Sequence, residues 1–402
     1  MIDLIKKELS NNKDVSAWTL LEVCTHSTQL FYVSMNLETN RAVDTKEYIL
    51  TIYKDNEDKT KRGNSSVKIE LYYNKKDIAN RIKEAVKNAT LAQGKYFDLP
   101  YPTSKEIKKI ETNLADKPFM EYCDSMVNAT FRANAYKDGS LNATEFFLYQ
   151  INKRLLNSNG IDISWITYKG NIETIPTFKS NEGEFETYLM VNFASLDTKK
   201  ITQQVDEALQ NTKLRSQAVS LPKGTRVKIL LHPEESYELF YYFIDDLNYN
   251  AKFNGYSKSI IGQSVQGDNS GDSLNIKLTP YLKSNGDSSP VDLDGVTLED
   301  VVLIKNGIAK NYYGNNKLGY YLGIKNPTGN MNNIVIGSGT RTIEEIKKEP
   351  YIECLKFSGF QMDNDSGFCG GEVRLGLYFD GEKIIPVSGF SISGDMNVMK
   401  SN

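Results

Sequence analysis

Residues capable of acid–base, nucleophilic or metal chemistry are scarce in this sequence. Its 402 residues include two histidines, His26 and His232, and four cysteines, at positions 24, 123, 354 and 369. A zinc site needs three or four such ligands brought together, and a nucleophilic cysteine needs a neighbouring base. No CxxC pair occurs, and no histidine lies near Cys369 in the sequence. We therefore interpret His232 as a strand-end histidine bonded to backbone, and Cys369 as a free thiol in a flexible loop.

Closely spaced carboxylates and glycines offer two further kinds of site. Asp245-Asp246, Asp292 with Asp294, and residues 268–272 bring acidic side chains together in the sequence. A hard cation needs several convergent oxygens, and none of these segments has the spacing of a calcium-binding loop. We interpret the first as a polar helix face and the others as turns. Residues 367–371, GFCGG, could hold an anion through backbone N–H groups, but a turn is favoured because no helix follows.

The elements that must position these residues indicate an α+β protein with antiparallel sheets. Apolar residues at helical spacing predict helices over these segments: 2–13, 75–92, 104–113, 116–134, 198–218 and 233–247. Asn159-Gly160 and Asp380-Gly381 lie between alternating apolar runs and predict hairpin turns. A short buried strand is predicted at 227–231. We expect two domains, an N-terminal α+β domain over residues 1–220 and a C-terminal β-rich domain over residues 221–402.

Composition and charge exclude several classes of protein. The formal net charge is −3 and 40% of residues are hydrophobic, which argues against nucleic-acid binding as the main activity. The N-terminal segment MIDLIKKE has no apolar core typical of a signal peptide, and no run of 18 apolar residues predicts a membrane span. Scattered cysteines suggest free thiols in a reducing compartment. We therefore expect a cytoplasmic protein that binds neither nucleic acid nor membrane.

A series of short motifs occurs in one order along the chain. It comprises LLNSNG at 155–160, LPKGTRVKILLHPE at 221–234, YSKSIIGQ at 256–263, VDLDGV at 291–296, IKNG at 304–307, PTGN at 327–330 and the glycine-punctuated segment 357–394. This series resembles the TldD/PmbA (TldE) family, which contains metallopeptidases and metal-free relatives once called modulators of DNA gyrase. The resemblance covers most of residues 140–395, and it rests on the order of the motifs along the chain.

The chain departs from the zinc-binding members of that family. The resemblance implies an HExxxH motif in the helix after residues 221–234, with two histidines on zinc and the glutamate as general base. The corresponding helix, residues 233–246, contains no histidine, and the sequence given stops at Asn402, where zinc-binding members continue to a cysteine ligand. The resemblance is therefore to the metal-free PmbA/TldE branch, and we expect no metal and no catalytic residue in this chain, with zinc only in a TldD-type partner.

The resemblance implies a function, and it leaves alternatives open. It implies a subunit of a TldD/TldE-type protease that processes unfolded peptides, non-catalytic alone, paired with a TldD-like protein or with a second copy of itself. The alternatives are an active metallopeptidase with an unrecognised site, and a binding protein that modulates a toxin or DNA gyrase. Candidate residues of a peptide cavity are Tyr241, Tyr242, Ser257, Asp294, Asp363, Ser366 and Gly367. The two tyrosines lie in an aromatic-rich helix that is also interpretable as core.

Overall fold

The computed structural model describes residues 1–104, 107–133, 137–282 and 285–401. The helices are α1 Ile2–Ser10, α2 Lys75–Leu91, α3 Phe119–Arg132, α4 Thr198–Ser216, α5 Pro233–Asp246, α6 Tyr249–Asn254, α7 Asn316–Tyr321, α8 Ile343–Ile346 and α9 Met396–Met399. The strands β1–β10 are Ala17–Val33, Asn36–Asp55, Lys61–Ile69, Gln93–Lys95, Gly139–Asn157, Asp162–Ser180, Gly183–Glu186, Leu189–Phe193, Val219–Ser220 and Lys228–Leu231. The strands β11–β19 are Ile276–Leu278, Val301–Lys305, Ile308–Ala309, Ile334–Ile336, Tyr351–Phe357, Gln361–Met362, Phe368–Phe379, Ile384–Ser388 and Phe390–Asp395.

The first sheet is built from long antiparallel strands in the order β4-β3-β2-β1-β5-β6-β7, and β8 also pairs with β6. Strand β1 lies at its centre, between β2 and β5. Side chains alternate between the two faces of a strand. Even-numbered residues of β5 and β6, such as Phe146, Leu148 and Ile172, are buried against helices α3 and α4. Odd-numbered residues of the same strands therefore face the other side of the sheet.

Helices cover the buried face of this sheet in two groups. Helices α1 and α2 pack against β1–β3 through a core that includes Ile5, Leu20 and Ile78. Asn74 begins α2 with a capping box, because its side chain accepts from the backbone of Asp77 while the Asp77 carboxylate accepts from the backbone N–H of Asn74. Apolar residues at helical spacing therefore hold these helices against the sheet, and the capping box fixes the start of α2.

The C-terminal half contains two smaller sheets. One has the order β10-β15-β17-β18-β9, with β16 and β19 also paired to β17, and the other has the order β13-β12-β11-β14. Within β17, Gly370 and Gly371 lie in close backbone contact, since an added Cβ would meet the Ile392 carbonyl oxygen at 2.9 Å and the Gly359 carbonyl oxygen at 2.8 Å. Glycine is therefore required where these strands converge.

The α+β class and its antiparallel sheets are confirmed. Asp380-Gly381 turns β17 into β18, with Gly381 at φ 109°, and Asn159-Gly160 turns β5 into β6. Two short pairs, β10 with β15 and β9 with β18, are parallel. None of the helices in the described ranges combines the length and apolar character that crossing a membrane requires. The division into domains at residue 220 stays a prediction, although β9 already belongs to the second sheet.

Three local predictions were wrong. The strand at Lys228–Leu231 is not buried, because Ile229 is 48% exposed on an edge strand. Residues 367–371 are not a flexible loop, since β17 begins at Phe368. The helix over 104–113 is absent from its described residues 107–113, because Thr112 and Asn113 bind the backbone of residues 194–196 instead. Lys105 and Glu106 lie outside the described residues, as does Asn134 at the end of the predicted helix over 116–134.

Candidate functional site

Helix α5 is the element around which the candidate site is built. Pro233 occupies its first turn and His232 is the N-cap residue, an arrangement that favours helix initiation. Its C-terminal half is buried, with Tyr242, Phe243 and Ile244 in the core formed with β11 and β12. The N-terminal half is open, since Tyr237 is 42% exposed. The aromatic helix is therefore core at one end and surface at the other.

Two aspartates at the end of α5 hold the loops around it. The Asp246 carboxylate accepts hydrogen bonds from the backbone N–H groups of Lys258 and Ser259. The Asp245 carboxylate accepts a hydrogen bond from the Asn364 amide, and burial raises the pKa of Asp245. The sequence predicts a polar helix face at this pair. In the structure, the two carboxylates hold the 257–259 and 363–367 segments against the helix through hydrogen bonds.

Tyr242 links the same helix to the chain after β19. Its hydroxyl donates to the Asn397 side-chain oxygen at 2.9 Å, and the Asn397 amide donates to the Ser366 carbonyl at 2.9 Å. The Lys258 amine lies 5.2 Å from the centre of the Tyr242 ring and donates to the Asp365 carbonyl at 3.0 Å. These contacts fix the relative positions of α5 and the 363–367 loop.

The 363–367 loop is shaped by Asp363. This exposed carboxylate accepts from the backbone N–H groups of Asp365 and Ser366 and from the Ser366 hydroxyl at 2.8 Å. The hydrogen bond from the Ser366 hydroxyl is the main reason that the pKa of Asp363 is lowered. Gly367 follows at φ 84°, and an added Cβ there would meet the Asn397 amide nitrogen at 2.4 Å.

A polar groove of about 960 Å³ lies between these elements. Tyr242, Asp245 and Asp246 line it from α5, Lys258 lines it from the next loop, and residues 362–365 close the other side. Aspartates outnumber the single lysine along its walls. The groove can therefore hold polar main-chain groups, and its charge favours a ligand that is not strongly anionic.

The structure brings some of the predicted site residues together and separates others. Tyr242 and Asp363 line the groove. Ser366 and Gly367 follow the lining residues directly in the sequence and lie against Asn397. Ser257 precedes Lys258, and its hydroxyl donates to the nearby Ser259 carbonyl. These positions do not test whether the residues contact a peptide, which stays a prediction.

Two of the predicted residues lie apart from the groove. Tyr241 makes an edge contact with Tyr237, at 4.9 Å between ring centres, and is absent from the residues that line the groove in the described structure. Asp294 lines a different cavity, beside the first sheet. Lys258 and Asn397 were missed by sequence reasoning, because a lone polar residue gives no signal of what it binds.

The residues present do not fit the zinc that the family resemblance implies for its peptidases. No three histidine, cysteine, aspartate or glutamate side chains within the described ranges are placed to hold a metal ion. His232 is exposed at the N-cap of α5, and His26 in the first sheet contacts Asp44, with Nδ1 2.7 Å from Oδ1. The expectation that the chain binds no zinc stays a prediction for direct measurement.

The cysteines are poorly suited to act as nucleophiles. Burial raises the pKa of the Cys354 thiol to about 12 and that of Cys123 to about 11. Cys369 is buried on β17, and burial raises its pKa as well. The thiolate is the reactive form of cysteine, so these three side chains remain protonated and unreactive near neutral pH.

The fold and site define an α+β protein with a polar groove beside a helix and without a recognisable catalytic set in its described residues. Comparison with solved structures gives the same architecture over nearly the whole chain. TldE from Thermococcus kodakarensis matches with a TM-score of 0.78 and 15% identity, over 99% of this chain and 91% of that one. A proposed modulator of a DNA gyrase from Thermotoga maritima matches with a TM-score of 0.78 and 17% identity, over 99% and 92%.

A third structure and a sequence family complete the comparison. A proposed modulator of DNA gyrase from Bacteroides thetaiotaomicron has a TM-score of 0.78 and 15% identity, over 100% of this chain and 92% of that one. Residues 224–402 match the family described as the PmbA/TldA metallopeptidase C-terminal domain. A search of curated proteins finds no match. The C-terminal part of the chain thus matches this family, and the fold of the whole chain is shared with TldE and with the two proposed gyrase modulators.

Proposed function

We propose that this chain is the metal-free, PmbA/TldE-like subunit of a TldD/TldE-type protease. The observation that carries the proposal is the composition of α5. The family resemblance places HExxxH in this helix, yet Pro233–Asp246 contains no histidine and directs its C-terminal half into the core. In this reading, a TldD-type partner supplies the zinc and the general base, and this chain shapes the peptide chamber.

The groove and the neighbouring strand β19 are suited to holding an extended peptide. Among the described strands, β19 pairs with β17 alone, which leaves its other edge available for backbone hydrogen bonds. The end of β19 leads directly into Asn397, which binds both Tyr242 and the Ser366 carbonyl at the groove. Pairing through backbone groups requires no particular side chains, and this property suits unfolded substrates of varied sequence.

The test is a peptidase assay of the chain alone and of its mixture with a TldD-type protein. Peptide hydrolysis requires an activated water or nucleophile and charge stabilisation, and the described residues hold no group of ligands for a metal ion that could supply them. We expect no hydrolysis of unfolded casein by the chain alone, no stoichiometric zinc, and increased activity of the partner in the mixture. Light scattering of the mixture should show a complex.

The alternative of an active peptidase makes the opposite predictions. Chelator-sensitive hydrolysis by this chain alone, lost in His232→Ala and retained in His26→Ala, would establish that rival and contradict the proposal. A monomer at tens of micromolar that neither binds nor activates a TldD-type protein would also contradict it. In that case, assays with DNA gyrase would test the remaining alternative of a modulatory binding protein.

A matched pair of variants tests the groove itself. Lys258→Met removes the charge and the bond to the Asp365 carbonyl while keeping the aliphatic chain over Tyr242. Lys383→Met makes the same change at an exposed position beside the β17–β18 turn. We expect Lys258→Met to weaken peptide binding by the complex and Lys383→Met to leave it unchanged. Equal binding by both variants would remove the groove from the proposed chamber.

A further inference from the structure

A second cavity, of about 460 Å³, lies between the first sheet and loops of the C-terminal half. Its sheet wall consists of odd-numbered residues of β5 and β6, including the cross-strand pairs Lys153–Trp165 and Ile151–Thr167. Its loop wall includes the segment from Gly286 to Asp294. The volume is in the range of about 300–1,000 Å³ that is typical of small-molecule sites.

Lys153 is the first unusual feature of this cavity. Its side chain is half-buried, and the described residues give it no hydrogen bond or ion pair. Burial lowers the pKa of Lys153, and the positive charge of nearby Lys169 lowers it further, while the negative charge of Asp287 acts in the opposite direction. An ammonium group that is partly removed from water and makes no hydrogen bond costs free energy, and an anion that reached Lys153 would offset that cost.

Trp165 is the second, independent feature. It lines the same cavity opposite Lys153 on the neighbouring strand, and its side chain is buried at 6% exposure. Its indole Nε1–H is buried without an acceptor in the described structure. Buried tryptophan N–H groups usually find a partner, and an unfilled donor beside a cavity indicates a missing acceptor.

The loop wall restricts the kind of anion. Asp292 accepts hydrogen bonds from the backbone of Asp294, Val296 and Asn330, so its oxygens are largely occupied by the protein. Asp294 and Asp287 also line the cavity. Burial raises the pKa of both Asp292 and Asp294, which shows that added negative charge is unfavourable at this wall. A phosphate dianion adds two negative charges there, whereas a carboxylate adds one and meets less opposition.

We propose that this cavity binds a small molecule through a carboxylate group, which Lys153 and the indole N–H of Trp165 receive. The inference goes beyond the proposed function, since the cavity is separate from the groove at α5 and binding here requires no peptidase partner. The carboxylate has two possible sources, the C-terminus of a short peptide and a free small acid. Matched probes distinguish the two.

The experiment uses the intrinsic fluorescence of Trp165. The chain has two tryptophans, so Trp18→Phe leaves Trp165 as the sole emitter. The full-length variant is titrated with N-acetyl-Ala-Ala, with the C-terminal amide of the same dipeptide, with sodium acetate and with inorganic phosphate. We expect a saturable change with N-acetyl-Ala-Ala and none with its amide. Saturation by acetate at a similar concentration would identify a free acid as the sufficient ligand.

Variants assign the binding to the proposed residues. Lys153→Met should weaken binding of the carboxylate probe about tenfold or more, because it removes a charged hydrogen-bond donor. Lys179→Met, on the same sheet but outside the cavity, should leave binding unchanged, and Lys153→Arg should retain most of it. Trp165→Phe, measured by calorimetry, should weaken binding while preserving the aromatic ring. Thermal melts confirm that each variant is folded.

Three results would overturn the proposal. One is the absence of saturable binding of either carboxylate probe up to tens of millimolar in Trp18→Phe, a test that needs no change at Lys153. Another is equal binding of the dipeptide and its amide. The third is tighter binding of phosphate than of the carboxylates, which would show that the loop wall does not select against a dianion.

Discussion

Two loop aspartates, Asp363 at the groove and Asp292 at the cavity beside the first sheet, show how similar hydrogen bonding can accompany opposite pKa shifts. Each carboxylate accepts three hydrogen bonds, all from its own loop at Asp363, and two from its own loop and one from the backbone of Asn330 at Asp292. Asp363 is exposed, and its pKa is lowered, chiefly by the Ser366 hydroxyl. Burial, followed by the charge of Asp294, raises the pKa of Asp292 to about 7.

The difference shows that hydrogen bonds shape both loops, while burial determines the charge state. An exposed carboxylate keeps its hydration, so each hydrogen bond favours the ionised form. A buried carboxylate loses that hydration, and a second carboxylate nearby adds repulsion. Asp363 is therefore ionised at neutral pH, whereas burial favours the protonated form of Asp292.

The largest expected effect is the loss of Asp292. Asp292→Ala removes the buried carboxylate that accepts from three backbone N–H groups, and each donor left without an acceptor away from water costs about 1–3 kcal/mol. We expect the free energy of unfolding to fall by about 3 kcal/mol or more, measured by chemical denaturation. Asp363→Ala is the matched control, with a much smaller loss because water can replace its oxygens. Equal losses would contradict the difference in burial.

The pH dependence of stability sharpens the same comparison. The folded pKa of Asp292, about 7, lies above the value of about 3.9 in unfolded chains. Between these values the folded protein binds more protons, so this stabilisation is present below pH 4 and lost as pH rises towards 7. Asp363, with a lowered pKa, acts in the opposite sense, and its contribution is lost as pH falls below about 4.

The measurement is the free energy of unfolding of the wild type and of Asp292→Asn from pH 4 to pH 7. Asp292 contributes a decrease with rising pH of at most about 1.4 kcal/mol per pH unit. Asp292→Asn cannot titrate, so this decrease should be absent from the variant. An identical slope in both proteins would show that Asp292 is ionised throughout the range.

Substitution of two glycines distinguishes the cost of backbone strain from the cost of a steric clash with Asn397. Gly367 and Gly389 both have positive φ, 84° and 71°, but only at Gly367 would a Cβ meet a side chain, the Asn397 amide. Gly389→Ala should cost about 1 kcal/mol for the left-handed backbone, and Gly367→Ala about 2 kcal/mol or more. Thermal denaturation of the two variants measures these losses of stability. Equal losses would mean that the Asn397 side chain moves away from the added methyl group at no cost.

The smallest expected effect is the removal of the Tyr242 hydroxyl. Tyr242→Phe loses the hydrogen bond to Asn397 and should cost about 1 kcal/mol. Tyr241→Phe removes a hydrogen bond to the exposed Tyr237 side chain, where water can replace the lost partner, and should change the free energy of unfolding by less than about 0.5 kcal/mol. A larger loss at Tyr241 than at Tyr242 would place the anchor of the 363–367 loop elsewhere.

Sequence reasoning predicted the elements whose signals are local. The capping box at Asn74, the Asp380-Gly381 turn and helix α5 each depend on residues within a few positions of one another. It failed where distant contacts decide the structure. The sequence pattern predicts a helix at Thr112 and Asn113, but their side chains bind the backbone carbonyl groups of Ala194 and Leu196.

The candidate site was predictable only in part for the same reason. Asp363 and Ser366 form one turn and are recognisable from their spacing. Tyr242 and Asn397 are separated by more than 150 positions in the sequence, and a single sequence contains no signal for that contact. Asp294 belongs to a recognisable motif, but its burial beside the first sheet depends on how the two halves pack.

The central position of β1 has a consequence for how the chain folds during synthesis. One neighbour, β2, ends at Asp55, but the other neighbour, β5, begins only at Gly139. At about 5–20 residues per second, the ribosome needs on the order of ten seconds to deliver that second neighbour. Until then β1 presents an edge of unpaired backbone groups, which can template pairing with other chains. During this interval, aggregation of the nascent N-terminal half competes with its folding. We therefore expect a chaperone to have most effect before β5 is synthesised.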